Sequence, residues 1–519
     1  MEKSIDIFTI FKSSDYKENI GVGYLSSFLR TNNINTKIHI LNCDDELSEQ
    51  INFDGRTPFI VGISVYMHIE QYAYEVAKII KNKYPKSFIF LGGPQVINRE
   101  EDILNTNQFV DAICSGEGEY AVVDIIDKVY NRKPLSECLG ITYRNDRGQL
   151  IKTGENKIIE NLDLIPFPAR DIYEKYPSPY IYVMGSRGCL GHCTFCFDVT
   201  SRSKSCKHKV RNRSGKNIAN EVEELYNKFK INSFKFLDST FEDPGEEGIK
   251  KARDFYKEIT DRNLSIRFCI NSRSELVKNY SAEYIYMAKQ AGLESIYLGI
   301  ESGNENDLKL YGKIATIQDN IDAVRLIKNE CLDLTFGFIN FNPYSTIDKL
   351  YKNINFLYNY DLPFSIETLL TFLEVFPQTA ISKMIIRDRL LYDNYEYSDL
   401  GINFVFQDFK VEKLFEALRA LNLTYAVTKI ESNMNRDFIY LKKNNLMNCE
   451  MENIQFDLLN KASKRKKYTY DFFCECLELS RKDNGRIFDF ITTNQFKVFD
   501  DIANDLYCKH KSVMLKLLG

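Results

Sequence analysis

The sequence predicts an α/β protein in three parts: a doubly wound, Rossmann-like parallel sheet, a partial TIM-type barrel of about six strand–helix units, and a mostly helical C-terminal cap. Two observations carry that prediction. From residue 5 to residue 376, short runs rich in Ile, Val, Phe and Tyr alternate with amphipathic stretches of helical period, the pattern of parallel sheets whose faces are covered by helices. From residue 395 onward, Leu, Phe, Lys and Asn recur at helical spacing alone, as in V-E-K-L-F-E-A-L-R-A-L and Y-D-F-F-C-E-C-L-E-L.

In the first part, residues 1–138, strands are expected in I-D-I-F-T-I-F, T-K-I-H-I-L, F-I-V-G-I-S-V-Y, F-I-F-L-G-G-P and V-D-A-I-C-S-G, with helices over 21–32, 69–83 and 120–129. Open sheets of this kind bind ligands beyond the carboxyl ends of their strands. The small-residue loops to consider are therefore 20–24, 62–68, 91–96 and 115–119, and none of them fits the G-x-G-x-x-G dinucleotide fingerprint. Residues 139–180 read as a hairpin followed by a proline-bearing linker.

The third segment, 181–394, opens on an apolar run and then M-G-S-R-G-C-L-G-H-C-T-F-C-F-D, which places Cys189, Cys193 and Cys196 in one glycine-bearing turn. Thiolates in such a turn favour zinc or iron–sulfur clusters. A structural zinc or an ordinary ferredoxin cubane takes four protein ligands, and no fourth is at hand: His192 is expected to point away, and Cys206 lies further on. The alternative to zinc is a [4Fe–4S] cluster with one iron left open. Downstream, strands are expected in S-F-K-F-L-D, I-R-F-C-I-N, S-I-Y-L-G-I-E-S-G, L-T-F-G-F-I-N-F and E-T-L-L-T-F-L-E-V-F, separated by helices over 217–229, 245–262, 282–291, 317–329 and 346–358. Barrels place their chemistry at strand C-termini. There stand Asp238 and Ser239, Asn271 and Arg273, Glu301 and Ser302, and Asn340 with Asn342, although Asp or Ser after a strand can also simply begin a helix.

The Cys-x3-Cys-x-Phe-Cys spacing resembles that of the radical S-adenosylmethionine (SAM) enzymes. The order I-G-V-G-Y, V-G-I-S, L-G-G-P and S-G-E-G-E-Y before it resembles the cobalamin-binding domain that some of those enzymes carry. The resemblance covers residues 1 to about 390. It implies three cofactors: a [4Fe–4S] cluster on Cys189, Cys193 and Cys196, SAM, and cobalamin. It further implies Phe195 beside the adenine, Arg273 at the SAM carboxylate, Glu301 and Ser302 at the ribose or amino group, and the turn bearing Asp238 and Ser239 at the methionine amine, with Asn271 on the same rim. Gly21, Gly23, Ser64, Gly92, Gly93, Gly116 and Glu117 are then the expected cobalamin contacts.

Two departures matter. No Asp-x-His-x-x-Gly supplies an axial histidine, so cobalamin is expected base-off, with His68 in a surface or packing role, and the segment 337–343 lacks the usual second glycine. The activity implied is methylation of an unactivated carbon of a natural product, peptide or lipid through a 5′-deoxyadenosyl radical, driven by an external flavodoxin or ferredoxin. Radical cyclisation or rearrangement, and a non-catalytic carrier, are the alternatives, and the helical part, 395–519, is expected to shape the substrate pocket.

With 519 residues, 44% of them hydrophobic, 27% charged and a net charge of −4, the composition is that of a globular protein with no electrostatic footprint for nucleic acid. The basic runs at 204–213 and 464–467 read as solvated faces. No apolar segment approaches the roughly 18 residues of a membrane span, and M-E-K-S-I-D does not begin as a signal peptide, so a cytoplasmic protein is expected. The 13 cysteines show no disulfide framework; most, such as Cys114 and Cys269, read as core residues, and Cys474 with Cys476 is too little for a second cluster.

Overall fold

The computed structural model describes the chain except for residues 1, 14–17, 67–68, 199–209, 393–403, 420–426, 483–485, 494–504, 506–507, 510 and 514–519. His68, Cys206 and the first part of the 204–213 run thus lie outside the described residues. The chain forms two compact units, one of Met1–Leu190 with Phe197–Lys235, the other of Gly191–Cys196 with Phe236–Tyr395 and Gly401–Gly519.

The first unit is built on seven strands: β1 (Ser4–Phe11), β2 (Asn35–Asn42), β3 (Ile60–Ser64), β4 (Phe88–Gly92), β5 (Ala112–Cys114), β6 (Ile141–Arg144) and β7 (Leu150–Lys152). Their order is β2-β1-β3-β4-β5-β6-β7. The first five run parallel and the last two antiparallel, so the hairpin expected in the linker instead extends this sheet. Strand alternation splits the core. Phe8 and Ile10 pack with Val76, Ala77 and Ile80 of helix Glu70–Lys83. Ile5 and Ile7 pack with Val22 and Leu29 of helix Ile20–Thr31 and Ile125 and Ile126 of helix Gly118–Asn131. The helices following β1 and β3 therefore leave to opposite faces, which opens a crevice at the carboxyl ends of those two adjacent strands.

The same unit holds β8 (Ile181–Val183), beside β11 (Ser233–Phe236), and the antiparallel pair β9 (Ser186–Arg187) and β10 (Arg211–Asn212). Helix Gly215–Phe229 begins on Ser214, whose hydroxyl accepts from Asn217 N.

In the second unit β12 (Arg267–Ser272), β13 (Leu293–Glu301) and β14 (Asp333–Phe338) pair in parallel, with Ile270 opposite Ile296 and Leu298 opposite Phe336. Phe268, Ile270, Ile296, Leu298 and Ile300 are buried, whereas Cys269, Asn271, Tyr297, Gly299 and Glu301 on the alternate positions are not. That leaves the inner face polar and open.

One expected strand is absent. Residues 367–376 contribute the short helix Ile366–Leu369 and only a single bridge, Phe341 to Phe372. Ser365 N donates to Thr368 Oγ1 at 3.3 Å and Thr371 Oγ1 donates to Thr368 O at 2.8 Å, so hydroxyls take up backbone groups that a ladder would have used.

The C-terminal region is helical as expected, through Phe409–Arg419, Val427–Lys443, Cys449–Lys482 and Ile487–Thr493. Helix Val427–Lys443 docks on the starts of the strands: Arg267 reaches Asp437 at 3.1 Å and Asn435 reaches Asp333 at 2.9 Å. Strand starts are opposite the reactive rim, so this helix closes the base of the barrel. Helix Cys449–Lys482 lies along helix Ile347–Asn359 through Tyr470 to Asn355 (2.8 Å) and Tyr351 to Glu478 (2.7 Å). Among the described residues no helix is long and apolar enough to cross a membrane.

Candidate active site

The cysteine loop is divided between the two units, Cys189 belonging to the first and Cys193 with Cys196 to the second. Thr194 anchors the latter pair: its N–H donates to Tyr311 O (2.9 Å), its hydroxyl to Leu310 O (2.7 Å), and its carbonyl accepts from Ile381 N (3.0 Å). Cys196 N donates to Cys193 O at 3.1 Å, closing a turn. Gly312, at φ +65, permits this approach, since a Cβ there would stand 2.8 Å from His192 O. The His192 side chain is exposed. Among the described residues no three His, Cys, Asp or Glu side chains are grouped to hold a single metal ion. Three thiols with no fourth beside them among the described residues fit a cubane with one open iron better than a closed zinc site.

Phe195 stands edge-on to Tyr311, ring centres 5.6 Å apart. Tyr311 is fully buried, and its hydroxyl accepts from Asn342 Nδ2 at 2.8 Å. Asn342, expected on the rim, thus supports the ring on which Phe195 rests.

Of the strand-end residues, Arg273 and Glu301 are ion-paired within the protein yet keep polar capacity beyond those pairs. Arg273 Nη2 donates to the buried Asp243 at 2.8 Å, whereas its Nε and Nη1 are buried without a hydrogen bond; Glu275 lies 3.2 Å from Nε, but out of hydrogen-bond geometry. A guanidinium with unspent buried donors is suited to an anionic group. Glu301 sits at a bulge in β13 with φ +65, a backbone strain that the fold sustains to aim its carboxylate inward. A methyl group at Gly299 or Gly337 would stand 3.0 Å from that carboxylate, so a side chain at either position would crowd it. Burial raises the Glu301 pKa and Lys313, at 3.6 Å, opposes the rise. Lys313 was not read from the sequence, where it is one lysine among many.

The remaining residues are held by the protein itself. Ser302, expected at the ribose or amino group, is fully buried; its hydroxyl donates to Asn353 and accepts from Asn304, so it fixes the turn after β13 and has no face for a cofactor. Asp238 is buried against Lys251 at 3.3 Å, and Asn271 donates to its carbonyl at 2.8 Å, which makes these two a support for the partly exposed Ser239.

In the first unit the crevice above β1 and β3 is organised by Asn19, which sequence reasoning missed. Its amide donates to Thr9 Oγ1 (3.0 Å) and Ser64 Oγ (3.1 Å), its oxygen accepts from Val22 N (3.1 Å) and from the Tyr66 hydroxyl (3.3 Å). The expected glycines differ in kind. Gly21 and Gly23 lie in the first turn of a helix, not in a loop. A Cβ on Gly23 would meet Ala169 O at 2.7 Å, and one on Gly93, at φ +104, would meet Val65 O at 2.7 Å, so the fold itself demands those two. Around Gly21 and Gly92 the nearest atoms are 3.5 and 3.8 Å away. The protein does not need glycine at these two, and an open cradle of this sort fits a bulky planar ligand. Gly116, at φ +90, turns the chain. Burial would raise the Glu117 pKa, but a hydrogen bond from Arg211 and the charges of Arg187 and Arg211 outweigh it and hold the carboxyl below its usual range.

Two regions of the chain are matched in known proteins. Residues 183–357 match the radical SAM superfamily and residues 10–126 the B12 binding domain. The two domains imply a [4Fe–4S] cluster, SAM and cobalamin as cofactors, the combination of a cobalamin-dependent radical SAM enzyme. The chain is similar, at 28% identity over 78% of its own length and 87% of the relative's, to an uncharacterized methyltransferase of Pyrococcus horikoshii. It is also similar, at 25% identity over 55% of its length and 56% of the relative's, to the anaerobic magnesium-protoporphyrin IX monomethyl ester cyclase of Synechocystis. Its fold matches OxsB, a cobalamin-dependent SAM radical enzyme solved with aqua-cobalamin and SAM bound, at a TM-score of 0.69 and 19% identity, covering 99% of this chain and 83% of that one.

Proposed function

We propose that this enzyme methylates an unactivated carbon of a small-molecule, peptide or lipid substrate. The observation that carries the SAM assignment is the rim of the barrel, where Arg273, ion-paired with Asp243 and Glu275, keeps two buried N–H groups out of hydrogen bonds and Glu301 stands beside Lys313. A guanidinium and a carboxylate are what the carboxylate and ammonium of an amino-acid end require. Methylation is favoured over cyclisation because the similarity to a methyltransferase spans 87% of that relative, whereas the similarity to a cyclase spans 56% of its own.

In this reading Cys189, Cys193 and Cys196 hold the cluster, Arg273 binds the SAM carboxylate, Glu301 takes the ammonium, and Phe195, braced by Tyr311, borders the adenine. Gly21, Gly92, Ser64 and Asn19 would border the corrin. When bound, the cluster with an external flavodoxin or ferredoxin supplies the electron that splits SAM to a 5′-deoxyadenosyl radical, and cobalamin supplies the methyl group. The protein's part is to bind and orient these groups and keep water from the radical.

With methyl-labelled SAM and substrate, 5′-deoxyadenosine and S-adenosylhomocysteine should form in near-equal amounts, with label in the product. Product and deoxyadenosine without homocysteine derivative or label would replace methylation by cyclisation.

A further inference from the structure

The S-G-E-G-E segment holds charges that the reaction above does not use. Glu117 and Glu119 bracket the start of helix Gly118–Asn131, and both carboxylates are turned onto arginines of the β9–β10 pair. Arg187 reaches Glu117 at 3.1 Å and Glu119 at 2.6 Å. Arg211, directly across the pair from Arg187, donates to Glu117 through both Nη atoms and to Ile159 O at 2.6 Å. All four side chains are largely buried, and the Arg187 guanidinium also lies over the Tyr24 ring, 5.6 Å from its centre. The next turn of the same ladder is fastened the same way: Arg213 N donates to Gly185 O, and its guanidinium to Met184 O and to the buried Glu221. After Arg187 the chain passes only Gly188, at φ +111, before reaching Cys189.

We propose that Glu117, Glu119, Arg187 and Arg211 form a clasp that positions Cys189, so that the S-G-E-G-E segment serves the cluster loop. Thr194 anchors Cys193 and Cys196 by hydrogen bonds to main-chain groups, whereas Cys189 is held two residues away by buried ion pairs. The assignment of Cys189 as a cluster ligand rests on the function proposed above; the clasp itself does not. A buried pair broken on one side leaves an uncompensated charge, so each partner is costly to remove alone and less so together.

Site-resolved alkylation of the metal-free full-length chain, read by mass spectrometry, tests this without any cofactor. In Glu119→Gln and Glu117→Gln, Cys189 should be alkylated severalfold faster than in the wild type while Cys193 keeps its rate. Glu119→Gln combined with Arg187→Met should change Cys189 no more than Arg187→Met alone. After anaerobic reconstitution the single variants should hold less iron than the wild type. Equal acceleration at Cys189 and Cys193 would reduce the clasp to general stability. Unchanged alkylation and iron with weakened cobalamin binding in Glu117→Gln would return that residue to the corrinoid. Acceleration at Cys189 alone in the variants, together with a wild type that takes up no iron, would uphold the clasp and overturn the cluster.

Discussion

Gly21 and Gly23 are two residues apart on one helix, and the structure assigns them opposite responses to the same substitution. At Gly21 an alanine methyl would meet Asn19 Oδ1 at 3.5 Å and Tyr66 Oη at 3.9 Å, ordinary contacts. Alanine is worth up to about 1 kcal/mol over glycine in a helix, so Gly21→Ala should leave the fold as stable or slightly more so. At Gly23 the methyl would stand 2.7 Å from Ala169 O and 3.1 Å from Pro168 Cβ, where the chain returns to donate Ala169 N to Gly23 O at 3.0 Å. Overpacking of that kind costs about 1–3 kcal/mol, which the helix gain offsets only in part. Urea unfolding followed by circular dichroism gives the stability, and titration with hydroxocobalamin in the visible gives the affinity. Gly21→Ala should unfold at the wild-type midpoint or above it and bind cobalamin more weakly, while Gly23→Ala should unfold earlier. Wild-type cobalamin affinity in Gly21→Ala would remove that position from the cradle, and an unchanged midpoint in Gly23→Ala would refute the close packing.

Arg273→Lys should weaken SAM binding with little loss of fold, because an ammonium reproduces neither the planar fork nor its unspent donors; equal affinity by calorimetry would take Arg273 out of the site. Glu294, at the base of the barrel, is pushed up to about 7 by burial, with Arg267 and Arg436 opposing and Asp437 adding to the rise. The folded chain therefore binds a proton that the unfolded chain releases near 4.5, a contribution of about 3 kcal/mol that is fully present below that pH and lost as pH rises through about 7. Wild-type melting should fall over that window, and Glu294→Gln should flatten the fall; parallel curves would contradict the raised carboxyl. His68→Ala should leave the visible spectrum of bound cobalamin unchanged, since the chain lacks Asp-x-His-x-x-Gly; a spectral shift would make the imidazole a ligand.

Helix starts were legible because short polar side chains announce them. Ser281 caps Ala282–Ala291, and Thr316 with Asp319 forms a capping box on Ile317–Asn329, both lying where helical period placed them. The sixth strand is absent because the Thr368 hydroxyl takes up the Ser365 N–H and the Thr371 hydroxyl the Thr368 carbonyl, a local choice that hydrophobic pattern does not encode. Arg211, Arg213 and Arg465 stand in basic runs whose local sequence suggests solvated faces. They are buried on Glu117, Glu221 and Glu431, partners at distances in sequence that no local spacing reveals. The three cysteines were plain from spacing, whereas Asn19 and Lys313 gained meaning only from the strand ends that surround them.

In the function proposed, Cys189, Cys193 and Cys196 hold a cluster whose open iron receives SAM. Electron paramagnetic resonance of the anaerobically reconstituted, reduced protein, recorded with and without SAM, tests it most directly. A [4Fe–4S] signal is expected whose g-values shift when SAM is added and which disappears in the variant with all three cysteines changed to Ala. A signal indifferent to SAM, or zinc in place of iron, would contradict it.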